Sequence, residues 1–253
     1  MPGTFVFLMT TPTSGFVVAY YSGGVTLAGS VVSQANTNGY GNSSLNAPFV
    51  LSMMGAPPPV CCTTATDTTV GLASGFNSRA GTFNLQLDNV SGGVANLNQA
   101  VSGATYSVAS NGRASVSYNL GGNTENYVYY LDKANEGFIV GLGNSAEFGF
   151  FQAQSSGPFS TSSINGTFVS GTLLTVDPTS PNLATEITLS NGNLSGNTPS
   201  GALTGTYSGR GTASVNPPVL GGNDLVFYVI GPDSVVVMGS DATTSDAITA
   251  MHL

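Results

Sequence analysis

Residues 102–117 read SGATYSVASNGRASVS, and residues 204–215 repeat the pattern as TGTYSGRGTASV. In each copy, alternating apolar and polar residues flank a tight turn, which is Asn111-Gly112 in the first copy and is shortened to Gly209 in the second. An Asn-Gly pair between two alternating runs is the strongest short-range signal for a β-hairpin. The repeated stretch therefore predicts pairs of antiparallel strands.

Two further motifs repeat along the chain. One occurs three times and consists of an apolar run, a short polar turn, a second apolar run and a third apolar stretch. These hairpins occupy residues 5–19, 127–141 and 225–239, and the third stretches occupy 25–32, 146–152 and 247–252. The other motif, Ser-Leu-Asn or Ser-Ile-Asn, occurs at 44–46 and 163–165. Self-similarity of this kind indicates a chain built from repeated β units.

The order of the motifs divides the chain into three parts. Residues 1–35 are predicted to be the closing hairpin and strands of an incomplete β unit, 42–155 a complete unit with a Pro-Pro-Pro-Val-Cys-Cys insertion, and 160–253 a second complete unit. In the first complete unit, residues 82–88 alternate, so we predict that Phe83, Leu85 and Leu87 face inward and that Asn84, Gln86 and Asp88 face solvent. Each complete unit would supply seven or eight strands. Because such a meander must cover its edges, we predict an all-β fold of tandem antiparallel meander units that close as β-barrels or sandwiches, with no significant helix.

The charge composition excludes several functions. The chain has 4 basic and 12 acidic residues, a net charge of −8 and a single His, which is His252. Binding of nucleic acid needs several Lys and Arg side chains on one face, and acid–base catalysis of the common kind needs a well-placed imidazole. No run of eighteen apolar residues occurs that could form a transmembrane helix. We therefore predict no nucleic-acid partner, no transmembrane helix and no cofactor.

The rest of the composition bears on location. The chain contains 34 Gly, 41% hydrophobic residues and only 6% charged residues, which suits short strands joined by tight turns. Scarce charge on a hydroxyl-rich β protein is typical of secreted and cell-surface proteins, so we expect an extracellular or cell-surface location. The apolar residues 1–9 carry no basic residue and do not read as a signal peptide.

The repeats resemble a known group of proteins. Residues 103–117, 127–140, 205–215 and 225–239 are similar to the repeats of secreted or lipid-anchored tandem β-repeat proteins that are common in acidobacterial-type soil bacteria. Repeats of that group read like GTYTVdanGRGTvtl followed by tYtFYvvssgkavvl. The resemblance covers most of 42–253 and implies an extracytoplasmic all-β repeat protein without an assigned enzymatic activity. The Pro-rich insertion and the incomplete first unit depart from the pattern.

Cys61 and Cys62 are the only two cysteines and follow a run of three prolines. Since no third Cys exists, an ordinary intrachain disulfide to a distant partner is impossible. A vicinal disulfide, an intermolecular disulfide and inert free thiols all remain open. Two neighbouring thiols are too few ligands for a metal ion, so we predict no metal site.

The charged residues offer no clear catalytic set. Arg113 and Arg210 recur at matched positions, where they could recognise anions or glycans, or pair with nearby carboxylates as part of the sheet. Recurrence in both units favours the structural role. Asp132, Glu136 and Glu147 lie in one hairpin region, but their spacing does not mark the pair of carboxylates that a glycosidase needs. We therefore predict that the protein is not an enzyme.

The incomplete first unit suggests a function. Its strands carry the apolar residues Phe5, Phe7, Val17, Tyr21 and Leu27, which are the candidate assembly residues. Unpaired strand edges and an apolar face must be covered, either by the chain's own sheets or by another copy, as donated strands do in pilus assembly. The sequence therefore predicts a structural β-repeat protein that partners itself and self-assembles into a filament by strand complementation.

The alternative is an extracellular module that binds glycans or small ligands at the barrel mouths. In that case the aromatic residues Tyr127, Tyr129, Tyr130, Phe227 and Tyr228 would line a cavity. In the structural protein, the same residues would fill the interior or pair across strands.

Overall fold

The computed structural model describes residues 4–20, 26–35, 38–56, 67–143, 146–172, 185–195, 200–204, 208–219, 222–240 and 247–252. Across these residues the fold is all-β, with nineteen strands and two short 3-10 turns. The predicted fold class is therefore confirmed, and the units close as barrels. No helix long and apolar enough to span a membrane occurs in this part of the chain. The chain forms two compact units, Met1–Gly39 and Tyr40–Leu253.

The first unit is a three-stranded antiparallel sheet in the order β1-β2-β3. Its strands are β1 (Thr4–Thr11), β2 (Ser14–Tyr20) and β3 (Thr26–Val32). Phe7 lies opposite Val17, and Leu8 lies opposite Phe16. Because side chains alternate along a strand, these two pairs lie on opposite faces of the sheet.

The second unit contains two closed barrels of eight antiparallel strands. The first barrel consists of β4 (Phe49–Ala56), β5 (Asp67–Asn77), β6 (Thr82–Ser91), β7 (Val94–Val108), β8 (Arg113–Leu120), β9 (Asn123–Lys133), β10 (Glu136–Gly141) and β11 (Ala146–Ala153). The second barrel consists of β12 (Gly166–Thr172), β13 (Thr185–Ser190), β14 (Asn193–Ser195), β15 (Ser200–Thr204), β16 (Arg210–Val219), β17 (Gly222–Gly231), β18 (Ser234–Gly239) and β19 (Ala247–His252). Closure pairs β4 with β11 and β12 with β19, which leaves neither barrel with an open edge.

The hairpins form where the repeated motifs predict them. In the repeat at residues 102–117, Tyr106 pairs with Val116 across the β7–β8 turn. Gly112 in this turn has a φ of 81°, the left-handed conformation that glycine adopts without steric cost. The β9–β10 and β17–β18 pairs are the other predicted hairpins of the barrels, and β11 and β19 are their predicted third strands.

Aromatic side chains fill the interior of the first barrel. Phe49, Tyr129 and Phe151 are almost fully buried, and the Phe49 and Phe151 ring centroids lie 4.8 Å apart. The pattern predicted for β6 is present, with Phe83, Leu85 and Leu87 in the core. The second barrel has a smaller core of the same kind, which includes Phe168, Phe227 and Val235.

The Ser-(Leu/Ile)-Asn motifs close one end of each barrel. Each follows a 3-10 turn, Asn42–Ser44 or Thr161–Ser163, and inserts its aliphatic side chain, Leu45 or Ile164, into the core. Both aliphatic side chains are 1% exposed. In the first barrel, the Tyr106 hydroxyl lies 3.1 Å from the Leu45 carbonyl oxygen, which ties this plug to the barrel wall.

Candidate functional site

The N-terminal sheet exposes large apolar side chains on both faces. Val6, Phe7, Leu8, Met9 and Phe16 are each more than half exposed. In the described part of the chain, β1 and β3 each pair with β2 alone, so one edge of each strand is open. Exposed apolar patches and open strand edges both mark surfaces that bind another chain.

The sheet also lacks charge. The first charged residue of the chain is Asp67, so the whole of Met1–Gly39 is uncharged. Soluble proteins commonly place Lys, Pro or inward-pointing charges on edge strands to prevent pairing with a second chain. The described residues of β1, β2 and β3 include no charged residue that could prevent such pairing. These strands are therefore suited to pair with a further strand.

The candidate assembly residues fall within this sheet, except for one. Phe7 is 58% exposed, and Val17 lies opposite it and is partly exposed. Phe5 lies on β1 and Leu27 on β3, and both pair in register with Ala19 of β2. Tyr21 lies outside the described residues.

A second candidate site is the end of the first barrel opposite the plug. A cavity of about 290 Å³ opens there, among the first residues of β5, β7, β9 and β11 and the last residues of β6 and β8. The inward-facing positions of these strands carry apolar side chains in the core and polar side chains at this end of the barrel. The lining includes Asp67, Glu125, Glu147, Tyr118 and Tyr127, and none of its residues is Lys, Arg or His.

Hydrogen bonds organise this mouth cavity. The Asn89 amide donates to the Asp67 carboxylate at 2.7 Å and to Thr69 Oγ1 at 2.9 Å. The Tyr127 hydroxyl donates to Glu147 Oε2 at 3.0 Å, and the Tyr127 ring stacks on Tyr118 with centroids 5.4 Å apart.

Burial raises the pKa values of two ionisable groups in the mouth cavity, Asp67 and Tyr118. Burial raises the pKa of the Asp67 carboxyl above its ordinary value of 3.8, while hydrogen bonds from Asn89 and Ser91 oppose the rise. Burial also raises the pKa of the Tyr118 hydroxyl, and the negative charges of Glu147, Glu125 and Asp67 raise it further. The carboxylates of Asp67, Glu125 and Glu147 therefore all disfavour ionisation of the same hydroxyl group.

A third cluster lies between the two barrels. The outer faces of β4, β5 and β6 pack against those of β17 and β18, and the contact is apolar around Val50, Val70, Val226 and Met238. A single carboxylate, Asp88 of β6, is fully buried within it. The sequence pattern placed this residue on a solvent-facing position of β6, and that prediction was wrong because the second barrel covers the position.

Asp88 has partners from both barrels. The Arg210 guanidinium group donates two hydrogen bonds to this carboxylate. Nε lies 2.8 Å from Oδ2, and Nη2 lies 2.6 Å from Oδ1. The Tyr228 hydroxyl donates to Oδ2 at 2.5 Å, and the backbone N–H of Asn98 donates to Oδ1 at 2.7 Å. The hydrogen bond with Asp88 is the main reason why the pKa of Arg210 is raised. This junction fixes the barrels together and shields the Asp88 carboxylate from solvent.

The remaining predicted residues do not come together. Glu136 forms an ion pair of 2.8 Å with Lys133 at the plugged end of the first barrel, next to Asp132. Glu147 lies at the mouth, so the three carboxylates of this hairpin region do not form one site. Cys61 and Cys62 lie outside the described residues. Among the described residues, no group of three or more His, Cys, Asp or Glu side chains is arranged to hold a metal ion.

Sequence reasoning missed the mouth cavity and the junction. Asp67 is the first residue of β5, and Gln99 lies within β7. The signal that could have found them is the change from apolar to polar residues at successive inward positions, as from Leu87 to Asn89 along β6. No family model, curated protein or solved structure matches the chain.

Proposed function

We propose that this protein is a non-enzymatic, extracellular structural β-barrel protein that associates with further copies of itself through its N-terminal sheet. One observation carries the proposal. Phe7, Tyr129 and Phe227 occupy the same place in the three copies of the hairpin motif. Tyr129 and Phe227 are 1% and 4% exposed inside closed barrels, whereas Phe7 is 58% exposed. The N-terminal sheet thus carries the interior face of a barrel without a barrel around it.

A second copy of the same chain suits this sheet because of charge. The net charge of −8 repels like molecules in general, but every charged residue lies at position 67 or later. Two N-terminal sheets can therefore approach without placing like-charged side chains against each other, and each buries the apolar side chains of the other. The open edges of β1 and β3 differ from each other, so pairing of β1 in one copy with β3 in the next would continue as a filament.

An extracellular location is supported by composition. Only 6% of the residues are charged, and the surface-forming residue types are mainly Gly, Ser, Thr and Asn. The same scarcity of charged residues supports a structural function.

The test is sedimentation velocity of the full chain over a wide concentration range, with negative-stain microscopy of the same samples. We expect concentration-dependent association of the native protein. The variant Phe7→Lys/Leu8→Lys places one charge on each face of β1, and this should abolish association. The matched control Ser102→Lys/Ser107→Lys adds two charges to exposed positions of β7 and should associate like the native protein.

Association through cysteine must be separated from association through strands. The measurements are therefore repeated with a reducing agent and with Cys61→Ser/Cys62→Ser. A native protein that stays monomeric at all concentrations would overturn the proposal. So would association that disappears in the cysteine variant or on reduction.

A ligand-binding function has one specific observation in its favour. The barrel interiors are packed with aromatic and aliphatic side chains, which argues against an apolar ligand within them. The mouth cavity of the first barrel is polar and open, and mouths of β-barrels are common ligand sites.

A further inference from the structure

We propose that the outer face of β8, β9 and β10 in the first barrel is a docking surface for a further β-barrel unit of the same repeat, carried by a partner chain. This surface, the β9 face, consists of Arg113, Val128, Tyr130, Phe138 and Val140. It belongs to the first barrel and not to the N-terminal sheet, so the proposal goes beyond self-association and does not depend on it.

The matching face of the second barrel is an interface already. In both barrels the repeated Arg lies opposite a Tyr of the next strand, and that Tyr lies opposite an apolar residue of the strand after it. The residues of the second barrel at the places of the β9 face are Arg210, Val226, Tyr228, Val236 and Met238. The four uncharged ones are each 0% exposed, because they pack on the outer faces of β4, β5 and β6. The repeat therefore uses this face to join one barrel to another.

The β9 face carries the same kinds of side chain but exposes them. Tyr130 is 46% exposed and Val140 is 41% exposed. Phe148 of β11 pairs with Val140 and extends the exposed apolar surface by one strand. A contiguous apolar surface of this kind marks a site of protein binding.

Arg113 specifies the charge of the partner. Its counterpart Arg210 binds the buried Asp88 carboxylate. Arg113 instead donates to Ser115 Oγ at 3.3 Å and forms no ion pair with a carboxylate of the described residues. An Asp or Glu within an apolar sheet face would bind Arg113 and Tyr130 by charge-assisted hydrogen bonds, as Asp88 binds their counterparts.

The position of β9 in the barrel fits a row of barrels. In the closed ring of eight strands, β9 lies four strands from β5 and is therefore on the opposite side of the first barrel. The second barrel packs on β4, β5 and β6. A unit docked at the β9 face would thus extend the row away from the second barrel.

The partner differs from a second copy of this chain. In such a copy, the face of β4, β5 and β6 that carries Asp88 is already covered by its own second barrel, so docking would require breaking its junction. Its N-terminal sheet offers no carboxylate, because residues 1–39 are uncharged. The β9 face therefore suits a barrel unit of another chain whose carboxylate-bearing face is uncovered.

Asp132 lies beside the β9 face and adds to its specificity. It stands where the second barrel has Ile230, which is buried in the junction. Asp132 Oδ1 is shielded from solvent and has no hydrogen-bond partner among the described residues. A partner that also places a hydrogen-bond donor at this oxygen gains further affinity, since an unpaired buried acceptor is costly.

The test joins a probe of this chemistry to the full chain. The probe is the first barrel itself, whose β6 carries Asp88. Residues 40–158 are duplicated in tandem, so that Pro158 of the first copy is followed by Tyr40 of the second, in the place of Phe159. Tyr40 and Phe159 pack against the cores of the barrels that follow them, so the connection between barrels keeps its length. Joining the units raises their effective concentration and makes weak docking measurable.

All chains carry Phe7→Lys/Leu8→Lys, so that association through the N-terminal sheet neither mimics nor hides docking. The first copy also carries Tyr130→Phe, which leaves one Tyr130, in the middle barrel. Its rate of iodination is followed by mass spectrometry. We expect Tyr130 to react about tenfold or more slowly in the tandem chain than in the chain without the duplication.

Arg113→Met in the middle barrel should abolish this protection, with a rate within about twofold of the same variant without the duplication, because docking would bury the probe's Asp88 without a cation. Arg113→Met in the first copy is the matched control and should leave the protection intact. Asp132→Ile in the middle barrel should increase the protection, since it restores the apolar residue of the junction. Equal circular dichroism per residue in all chains checks that the added barrel folds.

Three results would overturn the proposal. One is a Tyr130 reaction rate that the duplication does not change, or changes only in the Asp132→Ile chain. Another is protection that persists in Arg113→Met of the middle barrel, which would indicate apolar contact without recognition of a carboxylate. The third is a dimer of the chain without the duplication that Tyr130→Lys abolishes, which would assign the β9 face to a second copy. Sedimentation velocity measures that dimer, and its result is separate from the test of the N-terminal sheet.

Discussion

The two barrels carry the same repeated residues in different environments. Arg113 lies opposite Tyr130 in the first barrel, and Arg210 lies opposite Tyr228 in the second. Arg210 and Tyr228 both bind Asp88, and Tyr228 is 0% exposed. Tyr130 is 46% exposed, and Arg113 is exposed and donates to Ser115 Oγ at 3.3 Å.

The difference shows that a residue repeated in both units need not have the same role in each. The outer face of β17 is buried because the first barrel covers it, and the matching outer face of β9 has no such cover at Tyr130. Position in the repeat decides which face a side chain occupies. The neighbouring barrel decides whether that face is solvent-exposed or forms part of a core.

The largest effect is expected from Arg210→Met. This change leaves the Asp88 carboxylate buried with its main cationic partner removed, and breaking a buried ion pair in this way costs about 3–5 kcal/mol. Arg113→Met removes the matched Arg of the first barrel and should change the free energy of unfolding by less than about 0.5 kcal/mol. Urea denaturation measures both. Equal losses in the two variants would show that the Arg residues serve the repeat and not the junction.

A smaller loss is expected from Tyr228→Phe. The hydroxyl donates to a buried carboxylate, and a hydrogen bond to a charged group contributes about 1.5–3 kcal/mol. Tyr130→Phe removes the matched hydroxyl from an exposed side chain and should have almost no effect. The two free energies of unfolding, compared at the same pH, test this directly. A loss in Tyr130→Phe as large as in Tyr228→Phe would contradict the comparison.

Replacing the whole junction should cost less than breaking it. In Asp88→Leu/Arg210→Met/Tyr228→Phe, no buried charge remains, and apolar replacements of buried ion pairs are often neutral or stabilising. We therefore expect the triple variant to be more stable than Arg210→Met alone, by about 2 kcal/mol or more. Denaturation curves of the two variants decide this. A triple variant no more stable than Arg210→Met would mean that the junction depends on polar geometry that apolar packing cannot replace.

The local structure could be predicted from the sequence because local signals determine it. The Asn-Gly turn at 111–112, the alternation in β6 and the tripled hairpin motif specify strands and their neighbours within a unit. The need to cover strand edges predicts barrels or sandwiches and does not choose between them, and the structure has barrels. The role of the Ser-Leu-Asn motif as a plug could not be read in this way, since it depends on the width of the closed barrel.

The junction could not be predicted because it joins distant residues. Asp88 and Arg210 lie 122 positions apart and belong to different barrels. The runs at 127–131 and 225–230 are both continuously apolar, a pattern typical of strands buried on both faces. Both faces are buried on β17, but Tyr130 is exposed on β9. No local feature distinguishes these two runs, because the difference lies in how the barrels pack.

The smallest expected effect concerns the polar mouth of the first barrel. Burial raises the pKa of Asp67, so the folded protein binds this proton more tightly than the unfolded chain does. The ionised carboxylate therefore costs stability above its folded-state pKa, and the cost disappears as the pH falls below the ordinary value of 3.8. Asp67→Asn removes the cost and keeps an acceptor for Asn89. We expect it to be slightly more stable than the native protein at pH 7.

The pH dependence distinguishes this explanation from a general effect of charge removal. The stability gain of Asp67→Asn should shrink on acidification and vanish below about pH 3.8, measured as the difference in thermal midpoint between variant and native protein. Glu136→Gln removes a carboxylate whose ion pair with Lys133 lies at the surface, so it should give no gain at any pH. If Asp67→Asn is less stable than the native protein at pH 7, the Asp67 carboxylate stabilises the mouth through its hydrogen bonds. The mouth would then be a structural element of the first barrel.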